Sequence, residues 1–388
     1  MRAPSILPAQ LLRIKPSLMV THVLVSFFSS RLICSVFVYL GHSHHPYLQP
    51  VPGGWEGVAS WWVNPWTTYD SEWFLQIAVQ GYQSHTTSFF PLYPWLLRLF
   101  GPDPIHMAIG GILLSHISFF IALLLIYRLT ALEWDENVAK TTVWLVALSP
   151  AAPYFGAVYT ESLFMALLAA TFLAVRCQRW WLAGLFGGLA ALLRNPGFLI
   201  AGALFLEARN CRWSDGPISK RLNWILPLGA FGAVQTGFWV EFGSPLAGVT
   251  SQVYFHRLAD WPWKPLLGDL FTLIMGSYGM GFFLVGVTSV LFTLTGLLYP
   301  LIGWRKVPAS YILLVFGITL MNLAYARQIL PYTISSPRYL AVLFPISQLA
   351  AVLLVRNVSP RMRLLFICSV IYLYIVYSYM FGQKIFLG

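Results

Sequence analysis

The chain has 388 residues, of which 58% are hydrophobic and only 10% are charged, and its formal net charge is +11. Soluble domains carry about 25% charged residues, so this composition excludes a soluble enzyme and a disordered chain. The charges are scattered between apolar segments and form no single basic patch, which argues against nucleic-acid binding. The sequence therefore predicts an all-α polytopic membrane protein.

Apolar stretches follow one another along most of the chain, and about 17–25 apolar residues suffice for a helix to cross a bilayer. Several stretches in the middle are short or contain Pro or Gly, which a packed bundle tolerates, so a count of ten to twelve spans fits equally well. The eleven predicted spans are Leu18–Leu40, Met107–Leu132, Thr141–Ala157, Leu163–Val175, Trp181–Leu193, Pro196–Leu206, Trp224–Phe242, Phe282–Trp304, Ala309–Tyr325, Tyr339–Val355 and Leu364–Phe381.

The distribution of positive charge predicts the orientation of these spans. With the N-terminus inside, the internal connectors hold sixteen Lys and Arg residues and the outer connectors hold seven. The positive-inside rule then places the N-terminus in the cytoplasm and the C-terminus outside. The first apolar run is longer than the core of a signal peptide, so we expect a membrane anchor there.

The long connectors of residues 41–106 and 243–270 face outside in this topology, and a single transmembrane domain covers residues 1–388. The internal connectors contain no GxxxxGK[ST] loop, which argues against ATP-driven transport. We therefore expect any chemistry to take place in the two outer loops.

The first outer loop contains a short amphipathic segment. Apolar residues recur at helical spacing, which predicts a helix over Ser71–Gln80 lying in the membrane interface, with Asp70 as its N-cap and Gly81 after its last turn. Asp70 then has two interpretations: a capping carboxylate, or a general base that deprotonates an acceptor hydroxyl at the lipid–water boundary. The neighbouring Glu72 is expected to be a solvated residue.

Four segments of the chain resemble the PIG-V family, which comprises the GPI mannosyltransferases that add the second mannose and their bacterial relatives. The string YDSEWFLQIAVQGY, followed by FFPLYP, is similar to the family pattern W-D-G-x-[HW]-[FY]-x-x-I-A-x-x-G-Y and F-F-P-L-Y-P. Residues 159–164, 193–197 and 336–345 are similar to its Y-[ST]-E-[SA]-L-F, T-R-x-x-G and S-x-P-R-Y…F-P segments. The matches keep their order over about 280 residues.

This chain also departs from the family pattern. The Trp that precedes the aspartate is Tyr69 here, the following Gly is Ser71, and an acidic residue often found after the Gly-Tyr pair is His85. These changes leave the proposed base in place and affect the surroundings in which an acceptor or a sugar would bind.

The resemblance implies a GT-C glycosyltransferase, with a bundle of about eleven helices and a polyprenyl-phosphate sugar as donor. It implies that Asp70 deprotonates the acceptor hydroxyl, which displaces the lipid phosphate with inversion at the sugar. The donor sugar is mannose by resemblance, and the acceptor is a hydroxyl of a lipid, a glycan or a protein. The compact connectors suggest a bacterial or archaeal relative in a prokaryotic cell membrane, surrounded by membrane lipids.

A lipid-phosphate donor requires cations on the outer side. The candidates for the donor phosphate are Arg338, Arg194, Lys264 and His256. Arg can bind two phosphate oxygens with its planar fork, although Arg338 could also be an interfacial anchor. Arg194 lies between two short spans, where a charge needs a partner, and a purely structural bridge to Glu161 is the alternative.

Other polar and aromatic residues of the outer side are candidates for substrate binding. For the Trp residues of the second loop, an aromatic belt at the membrane interface is an equally good interpretation. The candidates are Glu161, Trp73, Tyr82, His85, Gln252, Trp261 and Trp263. His42, His44 and His45 lie close in sequence but have no carboxylate or cysteine at a fixed offset, so we expect no metal and no cofactor.

Two other functional classes compete with the enzyme. A transporter predicts two similar halves with broken helices and ionisable residues at mid-span, and the sequence shows no internal repeat. A non-catalytic subunit of a glycosylation complex would not need Asp70, which is present in an otherwise matching loop.

Overall fold

A computed structural model of the protein describes residues 16–44, 60–210, 222–278, 280–385 and 387. In these ranges the chain forms sixteen α-helices and one isolated β-bridge, which confirms the predicted all-α class. Four helices are long and apolar enough to cross a membrane: Pro16–His44, Pro104–Glu133, Phe282–Gly303 and Pro360–Gly382. The total of eleven spans stays a prediction.

Seven helices and three short 3-10 turns make up the part of the chain before residue 195. The helices are α1 (Pro16–His44), α2 (Asp70–Gln80), α3 (Leu92–Arg98), α4 (Pro104–Glu133), α5 (Glu136–Ala147), α6 (Glu161–Arg176) and α7 (Trp180–Leu193). The 3-10 turns are Asn64–Trp66, Ser84–Thr86 and Ala152–Phe155.

The rest of the described chain contains nine helices and two 3-10 turns. The helices are α8 (Leu199–Asn210), α9 (Ile225–Phe242), α10 (Ala247–Thr250), α11 (Trp263–Ile274), α12 (Met280–Gly303), α13 (Ala309–Ala324), α14 (Ser336–Ala341), α15 (Phe344–Asn357) and α16 (Pro360–Gly382). The 3-10 turns are Asn195–Phe198 and Ser251–Phe255.

The predicted span Thr141–Ala157 is helical only as far as Ala147. Pro150 and Pro153 follow, and proline lacks the N–H that a continued helix requires. Apart from the 3-10 turn Ala152–Phe155, the backbone from residue 148 to residue 160 is irregular, yet it is buried. Side chains of neighbouring helices satisfy its carbonyl groups: the Arg31 guanidinium donates to Ala152 at 2.9 Å and the Ser115 hydroxyl to Ala157 at 2.6 Å.

The predicted span Tyr339–Val355 is also interrupted. The short helix α14 ends at Ala341, and α15 begins at Phe344 with Pro345 in its first turn. Likewise, the span predicted at residues 196–206 starts as a 3-10 turn before α8 begins. These three interruptions leave non-helical backbone inside the bundle, where it contributes to the site described below.

Helices α1 and α16 cross at very short distance. A Cβ atom at Gly41 would overlap the carbonyl of Tyr379, and one at Gly382 would overlap the carbonyl of Val38. Small residues of this kind allow two backbones to approach closely within a membrane bundle. The contact fixes the end of α16 beside the first outer loop, where the Tyr69 hydroxyl donates to the carbonyl of Lys384.

A buried ionic cluster joins five helices at the end of α6 that lies away from Glu161. Arg176 lies 2.8 Å from Glu133 of α4 and 2.9 Å from Glu207 of α8, and all three side chains are at most 10% exposed. Hydroxyls of α13 and the Gln348 amide of α15 donate to the two carboxylates. Removing one partner would leave a buried charge without compensation.

We predict that Arg176→Met lowers the free energy of unfolding by about 3–5 kcal/mol, because two buried carboxylates lose their counter-ion. The matched control is Arg356→Met, which breaks a pair with Asp135 whose side chains are 49% and 43% exposed. For such an exposed pair we expect a loss of at most about 1 kcal/mol. Unfolding in detergent micelles measures both, and equal losses would contradict the structural role of the cluster.

Candidate active site

A cavity of about 630 Å³ lies between the first outer loop and the interrupted segments of the bundle. Its lining is unusually rich in charge for an apolar protein, with four arginines and three carboxylates. These side chains are Arg194, Arg257, Arg327, Arg338, Asp70, Glu72 and Glu161.

Asp70 occupies the first position of α2. The N-cap position belongs to Tyr69, whose φ of 58° is strained for a bulky residue and whose side chain makes no cap hydrogen bond. The interpretation of Asp70 as an N-cap is therefore wrong, because its carboxylate turns to Arg338, whose Nη1 lies 2.5 Å from Oδ2. Gly81 ends the helix with a φ of 86°, as predicted.

Tyrosine hydroxyls fix the backbone on both sides of Asp70. The Tyr159 hydroxyl accepts a hydrogen bond from the Asp70 amide at 3.2 Å and donates to the carbonyl of Thr68 at 3.0 Å. The preceding residue, Tyr69, is tied to the end of the last helix through the carbonyl of Lys384. The backbone at Asp70 is thus held in place by groups that lie far apart in sequence.

Arg338 connects Asp70 to a second buried acid. Its Nε lies 3.5 Å from Oε1 of Glu161, and the same oxygen lies 2.9 Å from Nη1 of Arg194. The side chains of Glu161 and Arg338 are 1% and 6% exposed, so Arg338 is a buried residue of the cavity and not an anchor at an exposed helix end. The predicted pairing of Arg194 with Glu161 is present.

Aromatic rings complete the surroundings of the arginines. The Arg338 guanidinium lies 5.6, 5.5 and 5.2 Å from the ring centroids of Tyr154, Tyr159 and Tyr339. Tyr339 also lies 4.9 Å from the guanidinium of Arg194. Cation–π contacts of this kind stabilise charges that have lost water. The sequence alone does not identify these tyrosines as site residues, although two of them lie in family motifs. Tyr159 shares a motif with Glu161, and Tyr339 shares one with Arg338.

Three further predicted residues line the cavity: Trp73, Gln252 and His256. Tyr82 lies outside it, where its hydroxyl donates to the carbonyl of Phe89 at 2.8 Å. The ring of His85 lies 5.4 Å from that of Trp73, so it supports the cavity wall without forming part of it.

The structure places Lys264, predicted to bind the donor phosphate, and Trp261 and Trp263, predicted to bind the substrate, outside the lining of the cavity. Lys264 is 58% exposed and pairs with Asp260 at 2.7 Å, one turn away. The two Trp rings stack on each other at 4.9 Å and are both more than half exposed. The reason is that α11 begins at Trp263 as an amphipathic surface helix, which agrees with the aromatic-belt interpretation.

His42 and His44 belong to the last turn of α1, and His45 lies outside the described residues. Within the described ranges, no three His, Cys, Asp or Glu side chains are grouped so that they could hold a metal ion.

Glu72 lies in the cavity lining and is half-buried, whereas the sequence suggested a solvated residue. Burial raises the pKa of its carboxyl to about 7, and the charge of Asp70 acts in the same direction while Lys384 opposes it. Among the described residues, none forms a hydrogen bond or an ion pair with its side chain. Glu72 can therefore hold a proton near neutral pH.

Two arginines of the lining were not selected from the sequence. Arg257 follows the 3-10 turn Ser251–Phe255, and Arg327 follows α13, so both lie on non-helical connectors. From the sequence they are only two of the positive charges in the predicted outer connectors. Nothing in their spacing indicates that the two connectors meet.

The profile of a family described as Mannosyltransferase (PIG-V) matches residues 15–224 of the chain. GPI mannosyltransferase 2 of Yarrowia lipolytica is 34% identical over 205 residues, which cover 44% of this chain and 57% of that protein. GPI alpha-1,6-mannosyltransferase 2 of Rattus norvegicus is 30% identical over 157 residues, 37% of this chain and 31% of that protein. The matches thus span less than two thirds of either relative.

Among solved structures, the oligosaccharyltransferase of Archaeoglobus fulgidus in the apo form is similar over 93% of this chain and 56% of its own, with a TM-score of 0.49 and 13% identity. ArnT of Cupriavidus metallidurans bound to undecaprenyl phosphate is similar over 81% of this chain and 71% of its own, with a TM-score of 0.48 and 12% identity.

The raised pKa of Glu72 predicts a pH dependence of stability. Because this pKa lies above the ordinary value of 4.5, the stability that Glu72 contributes is complete below about pH 4.5 and is lost as the pH rises through about 7. We expect the difference in Tm between Glu72→Gln and the wild type to be more positive at pH 8 than at pH 5. Differential scanning fluorimetry in detergent measures it.

Glu241→Gln, which replaces an exposed acid, is the matched control and should show the same difference at both pH values. A pH-independent effect of Glu72→Gln would contradict the raised pKa.

Proposed function

The chain belongs to the PIG-V family of mannosyltransferases, and from that premise we propose that it transfers a hexose, mannose by its family, from a polyprenyl-phosphate donor to a hydroxyl acceptor. The observation that carries the proposal is the position of Asp70. Its carboxylate is fixed inside a cavity, with one oxygen held by Arg338 and the other making no hydrogen bond to the described residues.

In this proposal Asp70 is the general base, because its Oδ1 has no hydrogen bond to the described residues and Asp70 lines the cavity. Oδ1 accepts the proton of the acceptor hydroxyl, whose oxygen forms a bond to the anomeric carbon of the donor. The bond from that carbon to the phosphate oxygen breaks, and its electron pair leaves with the lipid phosphate. Attack opposite to the leaving group inverts the configuration of the sugar. Arg338 keeps the carboxylate oriented throughout and compensates its charge before the proton arrives.

The cavity also has surfaces suited to the other parts of the two substrates. The lining includes the apolar side chains of Phe198, Phe231, Ile318 and Met321, which suit an isoprenoid chain. The lining also includes Trp73 and Phe255, whose ring centroids are 5.6 Å apart. A hexose can stack on such rings while the Gln252 amide hydrogen-bonds its hydroxyls.

The sidedness of the bundle supports a site on the outer face. The end of the last helix lies beside the first outer loop, so these two parts share one end of the bundle. This agrees with a cytoplasmic N-terminus and an external C-terminus, as the distribution of Lys and Arg predicts.

We predict that Asp70→Asn reduces sugar transfer by a factor of about 10²–10⁴, because the amide keeps the size of the side chain but cannot accept the proton. The assay uses the full chain in nanodiscs with radiolabelled polyprenyl-phosphate mannose and host lipid extract. Asp103→Asn is the matched control: it makes the same chemical change at a residue that caps α4 and whose side chain is 43% exposed. It should retain wild-type activity.

Donor that binds to the wild type without transfer or hydrolysis would favour a non-catalytic subunit. Transfer by Asp70→Asn at the wild-type rate would remove the proposed base. No donor binding to either protein would contradict the choice of polyprenyl-phosphate mannose as substrate.

A further inference from the structure

The two outer connectors that carry Arg257 and Arg327 are joined by the isolated antiparallel β-bridge. The amide of Gln328 donates to the carbonyl of His256 at 2.8 Å, and the amide of Asp260 donates to the carbonyl of Ala324 at 3.0 Å. Residues directly opposite each other in such a bridge have Cβ atoms only about 4.5–5.5 Å apart. The backbone therefore places two arginines side by side, and both line the cavity.

Two like charges in this position destabilise the bridge unless something compensates them. Burial and the charge of Arg257 both lower the pKa of Arg327, while Asp70 and Tyr69 oppose this shift. The arrangement therefore favours an anion between the two guanidinium groups.

Arg257 has different partners from Arg194 and Arg338. It contacts the hydroxyl of Ser335 and lies 5.4 Å from the ring of Tyr339, and the described residues place no carboxylate within 4 Å of it. Arg194 and Arg338, in contrast, are already paired with Glu161 and Asp70. An incoming phosphate would have to break those buried pairs, whereas it can approach Arg257 without breaking an ion pair to a described carboxylate.

We propose that Arg257 and Arg327 together bind the phosphate of the polyprenyl-phosphate donor, while Arg194 and Arg338 remain with the buried acids. This inference rests on the proposed function. Each planar guanidinium can donate two hydrogen bonds to phosphate oxygens. It differs from the prediction from sequence, which assigned the phosphate to Arg338, Arg194, Lys264 and His256.

The same pair assists departure of the leaving group. The donor phosphate is a diester with one negative charge, and the departing lipid phosphate is a monoester with about 1.5 to 2 charges at neutral pH. Two fixed guanidinium groups interact more strongly with the second form, so they stabilise the transition state more than the bound donor.

The test measures binding of farnesyl phosphate to the full chain in nanodiscs of neutral lipid, with farnesol and inorganic phosphate as the other two ligands. We expect Arg257→Gln and Arg327→Gln each to weaken farnesyl phosphate binding at least about tenfold, the loss of a charged hydrogen bond. Farnesol binding should not change, because it lacks the phosphate. Lysine at either position should restore part of the affinity, since it keeps the charge without the fork.

Arg356→Gln, at the exposed end of α15, is the control and should bind all ligands as the wild type does. Loss of farnesyl phosphate binding in Arg194→Gln or Arg338→Gln, with both bridge variants unaffected, would overturn the proposal. Equal affinity for inorganic and farnesyl phosphate would identify a site for free phosphate and overturn the lipid assignment. If Arg257→Gln and Arg327→Gln also abolish farnesol binding, Arg257→Lys and Arg327→Lys are measured instead. Their affinity for farnesyl phosphate relative to farnesol is then compared with that of the wild type.

The outcomes also separate this inference from the proposed function. Arginine-dependent binding of farnesyl phosphate by a protein that transfers no sugar would remove the proposed function and leave the phosphate site. Transfer that depends on Asp70, together with unchanged phosphate binding in both bridge variants, would retain the function and overturn the site.

Discussion

Compensation of buried charge is the constraint on which the geometry of the site depends. Arg338 is 6% exposed, and it can remain charged there only because Asp70 and Glu161 lie against it. Asp70 lies 268 positions earlier in the sequence, so this single contact fixes the first outer loop to the segment before α15. Glu161 in turn pairs with Arg194, so that positive and negative side chains alternate along the cavity lining.

Helix α6 links the site to the stability of the bundle. It begins with Glu161 in the cavity and ends with Arg176 in the second buried cluster, so each end is held by an ionic contact. The irregular backbone before α6 places Tyr159 in the cavity lining, and the interruption between α7 and α8 places Arg194 there. A membrane bundle accepts such interruptions only where neighbouring side chains satisfy the exposed carbonyls, as Arg31 and Ser115 do here.

Local patterns in the sequence predicted the local features: the amphipathic helix of the first outer loop, its end at Gly81, and the pairing of Arg194 with a nearby acid. The partner of Asp70 could not be predicted, because an N-cap and a long-range ion pair use the same residue type at the same position. Arg257 and Arg327 are neighbours because two connectors pair with each other. No periodic pattern in the sequence predicts that pairing. The shared outer loop led to the prediction that Trp261, Trp263 and Lys264 belong to the site, whereas all three side chains are exposed in the surface segment where α11 begins.

The most direct test of this account is the structure of Asp70→Asn in nanodiscs with polyprenyl-phosphate mannose bound, determined by cryo-electron microscopy. The account predicts the phosphate against Arg257 and Arg327, and the anomeric carbon within about 6 Å of residue 70, the span of one acceptor hydroxyl between them. A sugar bound farther from residue 70 than one hydroxyl can bridge, or a headgroup outside the cavity, would contradict it.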